Sequence, residues 1–203
     1  MYWKKRTLDY KILIPPVSKP YAKFTINEAK KYFEWYINQI PFRIKYLEEV
    51  SECRLDMTSQ SLVSLWQWFL NSAEVEDTPK KRMAELKRLR KKSPFAEDIL
   101  RENKVQFSLK TEYIIRDIGM YVGQFFVENS NKLYWSFLTD TEDGFLVNVP
   151  LISGFMDYEF NPPFPMQFEP NHMVGVIASN VFDHTQKATD LVDLCNLWLG
   201  YVK

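Results

Sequence analysis

The chain has 203 residues, of which 46% are hydrophobic and 26% charged, and this composition excludes a disordered or fibrous protein. Its 26 basic and 26 acidic side chains balance, so no field of the whole molecule favours nucleic acid, an anionic membrane or a cationic partner. Aromatic residues make up 16%, enough to build a large core and still leave rings at the surface. The length predicts a single globular domain over residues 1–203.

Cysteine content and hydrophobic patterning predict a cytoplasmic protein. The two cysteines, Cys53 and Cys195, lie far apart in the sequence, which is not a disulfide framework in a chain of this length. The apolar stretch 10–14 is too short for the core of a signal peptide. The sequence contains no run of about 18 apolar residues, so we expect no membrane partner.

Secondary-structure signals begin near the first residues. Residues 10–14 are rich in strand-forming residues and stop at two prolines, which predicts a short edge strand. Thr25, followed three residues later by Glu28, has the pattern of a capping box and predicts a helix that begins at Ile26. The apolar residues keep helical spacing as far as Pro41, which either kinks the helix or restarts it.

The middle of the chain is predicted to be a string of helices. Residues 59–73 have the wide apolar face of a buried helix. Cap residues followed by proline predict a charged helix over 79–92 and a short one over 94–101. The longest periodic segment, 109–127, predicts a further helix with a strong apolar stripe.

The last third of the chain changes character. Segments 133–138 and 144–149 are rich in strand-forming residues and predict a hairpin, whereas 155–170 combines rings with prolines and predicts a loop. Pro170 is predicted to open a helix, and Asp183 to cap the last one. The fold class is therefore α+β: a helix-rich single domain with a small antiparallel sheet built mainly from the C-terminal third.

Two glycines interrupt the helix predicted over 109–127. Gly119 and Gly123 lie on one helical face, and each destabilises a helix by about 1 kcal/mol relative to alanine. We expect a second helix or a strand to pack on this bare face; the alternative is that a ligand or a partner approaches it. Asp117 and Tyr121 share a neighbouring face, which makes them candidate binding residues.

The stretch 116–123 reads R-D-I-G-M-Y-V-G and is followed by Tyr134 and Trp135. It resembles a pattern in bacterial proteins of unknown function, in which a helical D-x-G-x-Y-x-G stretch precedes a strand that bears a tryptophan. The resemblance covers residues 116–135 alone. It implies a compact bacterial α+β domain and no particular activity.

Residues 80–92 contain eight basic side chains and one acid, Glu85. Such a density of positive charge is able to contact phosphates, which makes the helix a candidate nucleic-acid surface. Proteins that bind single strands also place stacking aromatic rings among the charges, and this segment contains none. We therefore interpret it as a solvated helix and do not expect nucleic acid as the partner.

The segment 155–170 holds five phenylalanine or tyrosine rings and four prolines. Prolines lower the entropy lost when a loop becomes ordered, and rings supply contact area with few rotatable bonds. Two interpretations stay open: a preorganised recognition surface, and a lid whose rings fill gaps over the core. The candidate binding residues here are Tyr158, Phe160 and Phe164, together with Tyr134 and Trp135 of the predicted strand.

The sequence lacks the usual motifs for catalysis and cofactor binding. His172 and His184 are its two histidines, without H-E-x-x-H or a cysteine pair. Thr139 and Thr141 stand where an EF-hand calcium loop needs carboxylates or amides. Cys195 lies on the apolar stripe of the last helix, which indicates a buried thiol and not a nucleophile. With no glycine-rich phosphate loop either, we expect no catalytic residues, no metal site and no cofactor.

These observations favour a non-enzymatic bacterial interaction or regulatory protein that binds another protein, for example an immunity-type protein that neutralises a toxin. One alternative is a small hydrolase or transferase with dispersed carboxylates, which requires Asp117, Tyr121 and a histidine to converge in a cleft. Another is a nucleic-acid binder that uses residues 80–92. The sequence gives no indication of the oligomeric state.

Overall fold

The computed structural model describes residues 10–17, 19–78, 105–140 and 146–202. In these ranges, five α-helices pack with a two-stranded and a three-stranded antiparallel sheet, which confirms the predicted α+β class. The helices are α1 (Ile26–Ser51), α2 (Ser59–Ser72), α3 (Leu109–Asn129), α4 (Pro170–Ala178) and α5 (Asp190–Leu199). The strands are β1 (Val75–Asp77), β2 (Val105–Phe107), β3 (Tyr134–Ser136), β4 (Leu151–Asp157) and β5 (Phe164–Phe168). The helices predicted over 79–92 and 94–101 lie outside the described residues.

Helix α1 begins as predicted and continues through Pro41 as one helix. The Thr25 hydroxyl accepts from the Glu28 N–H, and the Glu28 carboxylate accepts from the Thr25 N–H, so both halves of the capping box are present. The helix runs through Pro41 to Ser51 without a break. Proline removes one backbone hydrogen bond there, and the buried face on both sides of it keeps the helix together.

Helix α3 runs through the middle of the core. Twelve of its 21 residues are buried, and it contacts α1, α4, α5 and the three-stranded sheet. Its bounds agree with the segment predicted over 109–127. Helices α2 and α4 also form where apolar spacing and Pro170 predicted them. No described helix is both long and apolar enough to cross a membrane.

The three-stranded sheet has the order β3-β4-β5, so the predicted partner of β3 is wrong. Between 146 and 149 the chain makes one isolated bridge, from Val147 to Leu138, and the strand that pairs with β3 starts only after Pro150. A proline lacks the N–H that a central strand must donate, which explains why regular pairing begins beyond it.

Residues 155–170 form most of a hairpin, and the predicted loop is wrong. Strands β4 and β5 pair antiparallel, with Phe155 opposite Met166 and Met156 opposite Pro165. Because β5 is an edge strand, the missing N–H of Pro165 leaves no central ladder bond unmade. Prolines that signalled a loop in the sequence are thus compatible with a strand at the sheet edge.

The edge strand predicted over 10–14 does not form. The Lys11 N–H donates to the Tyr46 hydroxyl at 2.7 Å, and the Lys11 carbonyl accepts from Arg43 Nη2 at 2.9 Å. Side chains of α1 therefore satisfy backbone groups that a neighbouring strand would otherwise bind. The sheet of β1 and β2, in contrast, was not predicted, and its strands flank the undescribed stretch 79–104.

The last helix begins later than Asp183, so the predicted cap is wrong. Residues 183–184 and 188–189 form turns with irregular chain between them, and α5 starts at Asp190, whose carboxylate accepts from the Lys187 N–H at 2.8 Å. Cys195 is fully buried in the core, as predicted, and burial raises the pKa of its thiol.

Candidate functional site

Asp117 lies inside the core, where it joins α3 to α1 and to the chain before α1. Its Oδ1 accepts from Arg43 Nε at 3.0 Å, and its Oδ2 accepts from Arg43 Nη2 and from the Tyr10 hydroxyl. Burial raises the pKa of Asp117, while the ion pair with Arg43 opposes that shift. The side chain is fully buried, so its carboxylate binds groups of the fold and does not face solvent.

Arg43, the partner of Asp117, is a residue that sequence reasoning missed. It is buried, its guanidinium lies 4.7 Å from the ring centroid of Tyr46, and it also binds the Lys11 carbonyl. Arg43 follows Ile40 by three residues and precedes Leu47 by four, so it occupies the apolar stripe of α1. A charged residue on such a stripe is a signal for a buried ion pair.

Tyr121 is also buried and binds a different segment. Its hydroxyl lies 2.5 Å from Ser61 Oγ and accepts from the Met57 N–H at 3.0 Å. Burial raises the pKa of this hydroxyl. Because Asp117 and Tyr121 are both enclosed, they give the alternative of a hydrolase with an open carboxylate cleft no support.

The bare face of α3 is filled by α4 and β3, which confirms the predicted close packing. A Cβ atom on Gly119 would lie 2.4 Å from Asn171 Oδ1 and 3.1 Å from Asn171 Cα. A Cβ atom on Gly123 would lie 2.2 Å from the Trp135 ring, whose Nε1 donates to Gln124 Oε1 at 3.4 Å. The alternative of a ligand on this face is wrong, because the protein itself occupies the space.

The hairpin of β4 and β5 divides its rings between the core and the surface. Phe155 and Phe168 are fully buried, whereas Tyr158, Phe160 and Phe164 are 40%, 59% and 59% exposed. The exposed rings lie where the strands end, and the centroids of Phe160 and Phe164 are 6.0 Å apart. We call residues 157–164 the hairpin tip. Two of the five rings therefore fill the core, and three face outward.

Tyr134 lies on the same sheet but apart from the hairpin tip. It pairs with Ser153, and Phe164 of the tip pairs with Asp157, four residues further along β4. Tyr134 is 58% exposed, whereas Trp135 points to the opposite face, toward α3. The predicted binding residues therefore do not form one patch.

Comparisons with protein families, curated proteins and solved structures find no match for this chain. The resemblance to bacterial proteins with a D-x-G-x-Y-x-G stretch stays a prediction. In this structure the aspartate and tyrosine of the stretch bind inside the core, and its glycines admit an asparagine and a tryptophan. An ion pair, hydrogen bonds and close packing within the fold account for these four residues.

Charge is distributed unevenly along the chain, which the balanced total conceals. From Leu133 to Gln186 the sequence has seven acidic residues and no lysine or arginine. Two of these acids, Asp157 and Glu159, belong to the hairpin tip, and the Asp157 carboxylate accepts from the Glu159 N–H at 2.9 Å. The tip thus presents aromatic rings beside negative charge, a combination suited to a basic and apolar partner.

Glu169 is a second titratable group that sequence reasoning missed. Its carboxylate caps α4 by accepting from the backbone N–H of Asn171, at 3.1 Å, and of His172. Burial raises the pKa of Glu169 to about 7, although these two bonds favour the charged form. In the described part of the chain, no three histidine, cysteine or acidic side chains are placed to hold a metal ion together.

Proposed function

We propose that this chain is a protein-binding domain and that the hairpin tip is its contact surface. The observation that carries the proposal is the exposure of Phe160 and Phe164, each 59% accessible to solvent on a hairpin anchored in the core. Burial of one large apolar side chain is worth about 1.5–3 kcal/mol. Two adjacent rings are therefore able to provide much of the affinity of a small interface.

The hairpin tip is preorganised for binding. Phe155 and Phe168 lie 5.2 and 5.0 Å from the ring centroid of Phe126, which fixes both strands on α3. Pro162 and Pro163 restrict the turn between the strands. Little conformational entropy is lost on association when the binding segment is ordered beforehand.

The charge of the hairpin tip indicates the chemistry of the partner. Asp157 and Glu159 flank the exposed rings, and lysine and arginine are absent from residues 133–186. A partner surface with arginine or lysine beside apolar side chains satisfies both the acids and the ring faces. Within this proposal, one specific role is that of an immunity-type protein that binds and neutralises a toxin.

Photo-crosslinking in the native cells tests the proposal. A photoreactive phenylalanine analogue replaces Phe160 in one sample and Leu197 in a matched control, because Leu197 is equally exposed, at 60%, on α5. We expect a discrete crosslinked protein from position 160 and none from position 197. The same products from both positions, or none from position 160, would refute the assignment of the surface.

The crosslinked protein, once purified, allows a quantitative test. The double variant Phe160→Ser, Phe164→Ser is expected to weaken its binding at least about 100-fold, and Leu197→Ser less than about threefold. Added salt is expected to weaken binding of the wild type, because the acids of the tip contact basic side chains. Binding that ignores both the double substitution and salt would contradict the proposal.

A further inference from the structure

A cleft of about 410 Å³ lies between α3, α1 and the chain that precedes α1. Its lining combines cations, tyrosine hydroxyls and apolar walls: Pro15, Val17, Lys19, Pro20, Tyr21, Phe24, Tyr32 and Arg116. None of these residues belongs to the hairpin tip, and none of them carries a carboxylate. The volume lies within the range of small-molecule sites in proteins.

Arg116 supplies the positive charge of this cleft. Its guanidinium lies 5.4 Å from the ring centroid of Trp35, and Nη2 donates to the Tyr32 hydroxyl at 3.4 Å. Among the described residues, no carboxylate lies within 4.0 Å of its nitrogens. An arginine has five N–H donors, and one of them binds a hydroxyl of the described residues, so within these residues most donors are available to a ligand.

The other lining groups favour a ligand with a charged end and an apolar body. The hydroxyls of Tyr21 and Tyr32 are 2.8 Å apart, and Tyr21 is 36% exposed. Lys19 is already paired with Glu28 at 2.7 Å, so Arg116 carries most of the unbalanced charge. Phe24 provides an apolar wall.

We propose that this cleft binds a small organic oxyanion, a carboxylate or a phosphate ester on a ring-sized apolar body, with Arg116 holding the oxyanion. A guanidinium binds either group through two parallel hydrogen bonds. The apolar body lies against Phe24 and the prolines. The site is separate from the hairpin tip, so each proposal stands or fails without the other.

Titration with matched probes tests this site. Benzoate and phenyl phosphate carry an oxyanion on a ring, and benzamide has nearly the shape of benzoate without the charge. Binding is followed by the amide chemical shifts of Lys19, of residues 21–24 and of Arg116. We expect saturable binding of benzoate or phenyl phosphate in the millimolar range, and benzamide at least about tenfold weaker than benzoate.

Two variants locate the oxyanion. Arg116→Gln is expected to weaken binding at least about tenfold, whereas Arg54→Gln, which removes a cation with an 86% exposed side chain elsewhere, leaves affinity unchanged. Equal binding of benzoate and benzamide by the wild type would overturn the proposal even if Arg116→Gln did not fold. So would the absence of saturation by both oxyanions, or full affinity in a folded Arg116→Gln protein.

Discussion

Replacement of Gly119 by alanine tests whether close packing explains the glycines of α3. The new Cβ would lie 2.4 Å from Asn171 Oδ1 and 3.1 Å from both the N and Cα atoms of Asn171. The asparagine side chain is able to rotate away, but its backbone moves only if α4 moves. Rotation also breaks the bond that the Tyr36 hydroxyl donates to Asn171 Oδ1. We therefore expect Gly119→Ala to destabilise the fold.

The magnitude follows from three opposing effects. Alanine in place of glycine favours a helix by about 1 kcal/mol. Overpacking costs about 1–3 kcal/mol, and the lost hydrogen bond costs about 1 kcal/mol. The expected net loss for Gly119→Ala is about 1–3 kcal/mol of unfolding free energy.

Gly175 provides the matched control, since it is also helical but an added Cβ would have no atom within 4 Å. Gly175→Ala should stabilise the protein by about 0.5–1 kcal/mol. Urea unfolding of the wild type and both variants measures these differences as shifts of midpoint at constant slope. If Gly119→Ala proved as stable as Gly175→Ala, the packing explanation for Gly119 would be refuted.

Three further substitutions test polar groups that bind within the fold. In the fold the pKa of Glu169 rises from its ordinary 4.5 to about 7, so between these pH values the native state binds more protons than the unfolded state. The free energy of unfolding should therefore fall as pH rises from 4.5 to 7, by at most about 3 kcal/mol. Glu169→Gln should remove that decline in urea titrations at several pH values; an unchanged decline would contradict the assignment. Asp117→Asn leaves Arg43 buried without its countercharge and should lower stability by about 3 kcal/mol or more, whereas a loss below about 1 kcal/mol would show that the pair is exposed in solution. Tyr121→Phe leaves the Met57 N–H unpaired and should cost about 1–2 kcal/mol by thermal or urea unfolding, and no loss would mean that water replaces the hydroxyl.

Local signals in the sequence were sufficient for most helices. The capping box of α1 involves residues three apart, and Pro170 sets the start of α4 by itself. Pro41 does not restart the helix, because the buried residues on both sides of it keep the helix continuous, and that effect depends on tertiary contacts. Asp183 likewise has the pattern of a cap, but turns and irregular chain separate it from α5, which begins at Asp190.

Strand pairing depends on contacts that no short segment encodes. The stretch 144–149 was rich in strand-forming residues, yet β3 pairs with β4, which begins after Pro150. The buried ion pair of Arg43 and Asp117 joins residues 74 positions apart. Each residue has a recognisable position on its own helix, but no local pattern predicts that the two side chains meet. The sequence does reveal that Arg43 interrupts an apolar stripe, and that observation alone would have indicated a buried charge.

Phe155 enters the core directly after a β-bulge that contains Gly154. Strict alternation along β4 would place Ile152 and Phe155 on opposite faces. Both belong to the same core cluster instead, because a register shift between them adds a residue to the strand. Gly154 lies in that shift at φ +109°, where an added Cβ would lie 2.1 Å from the Lys132 carbonyl oxygen. The sequence shows how many rings lie in 155–170, but the bulge in β4 determines that the Phe155 ring points into the core. The hairpin tip is thus a consequence of sheet register, and register is what the sequence alone left undetermined.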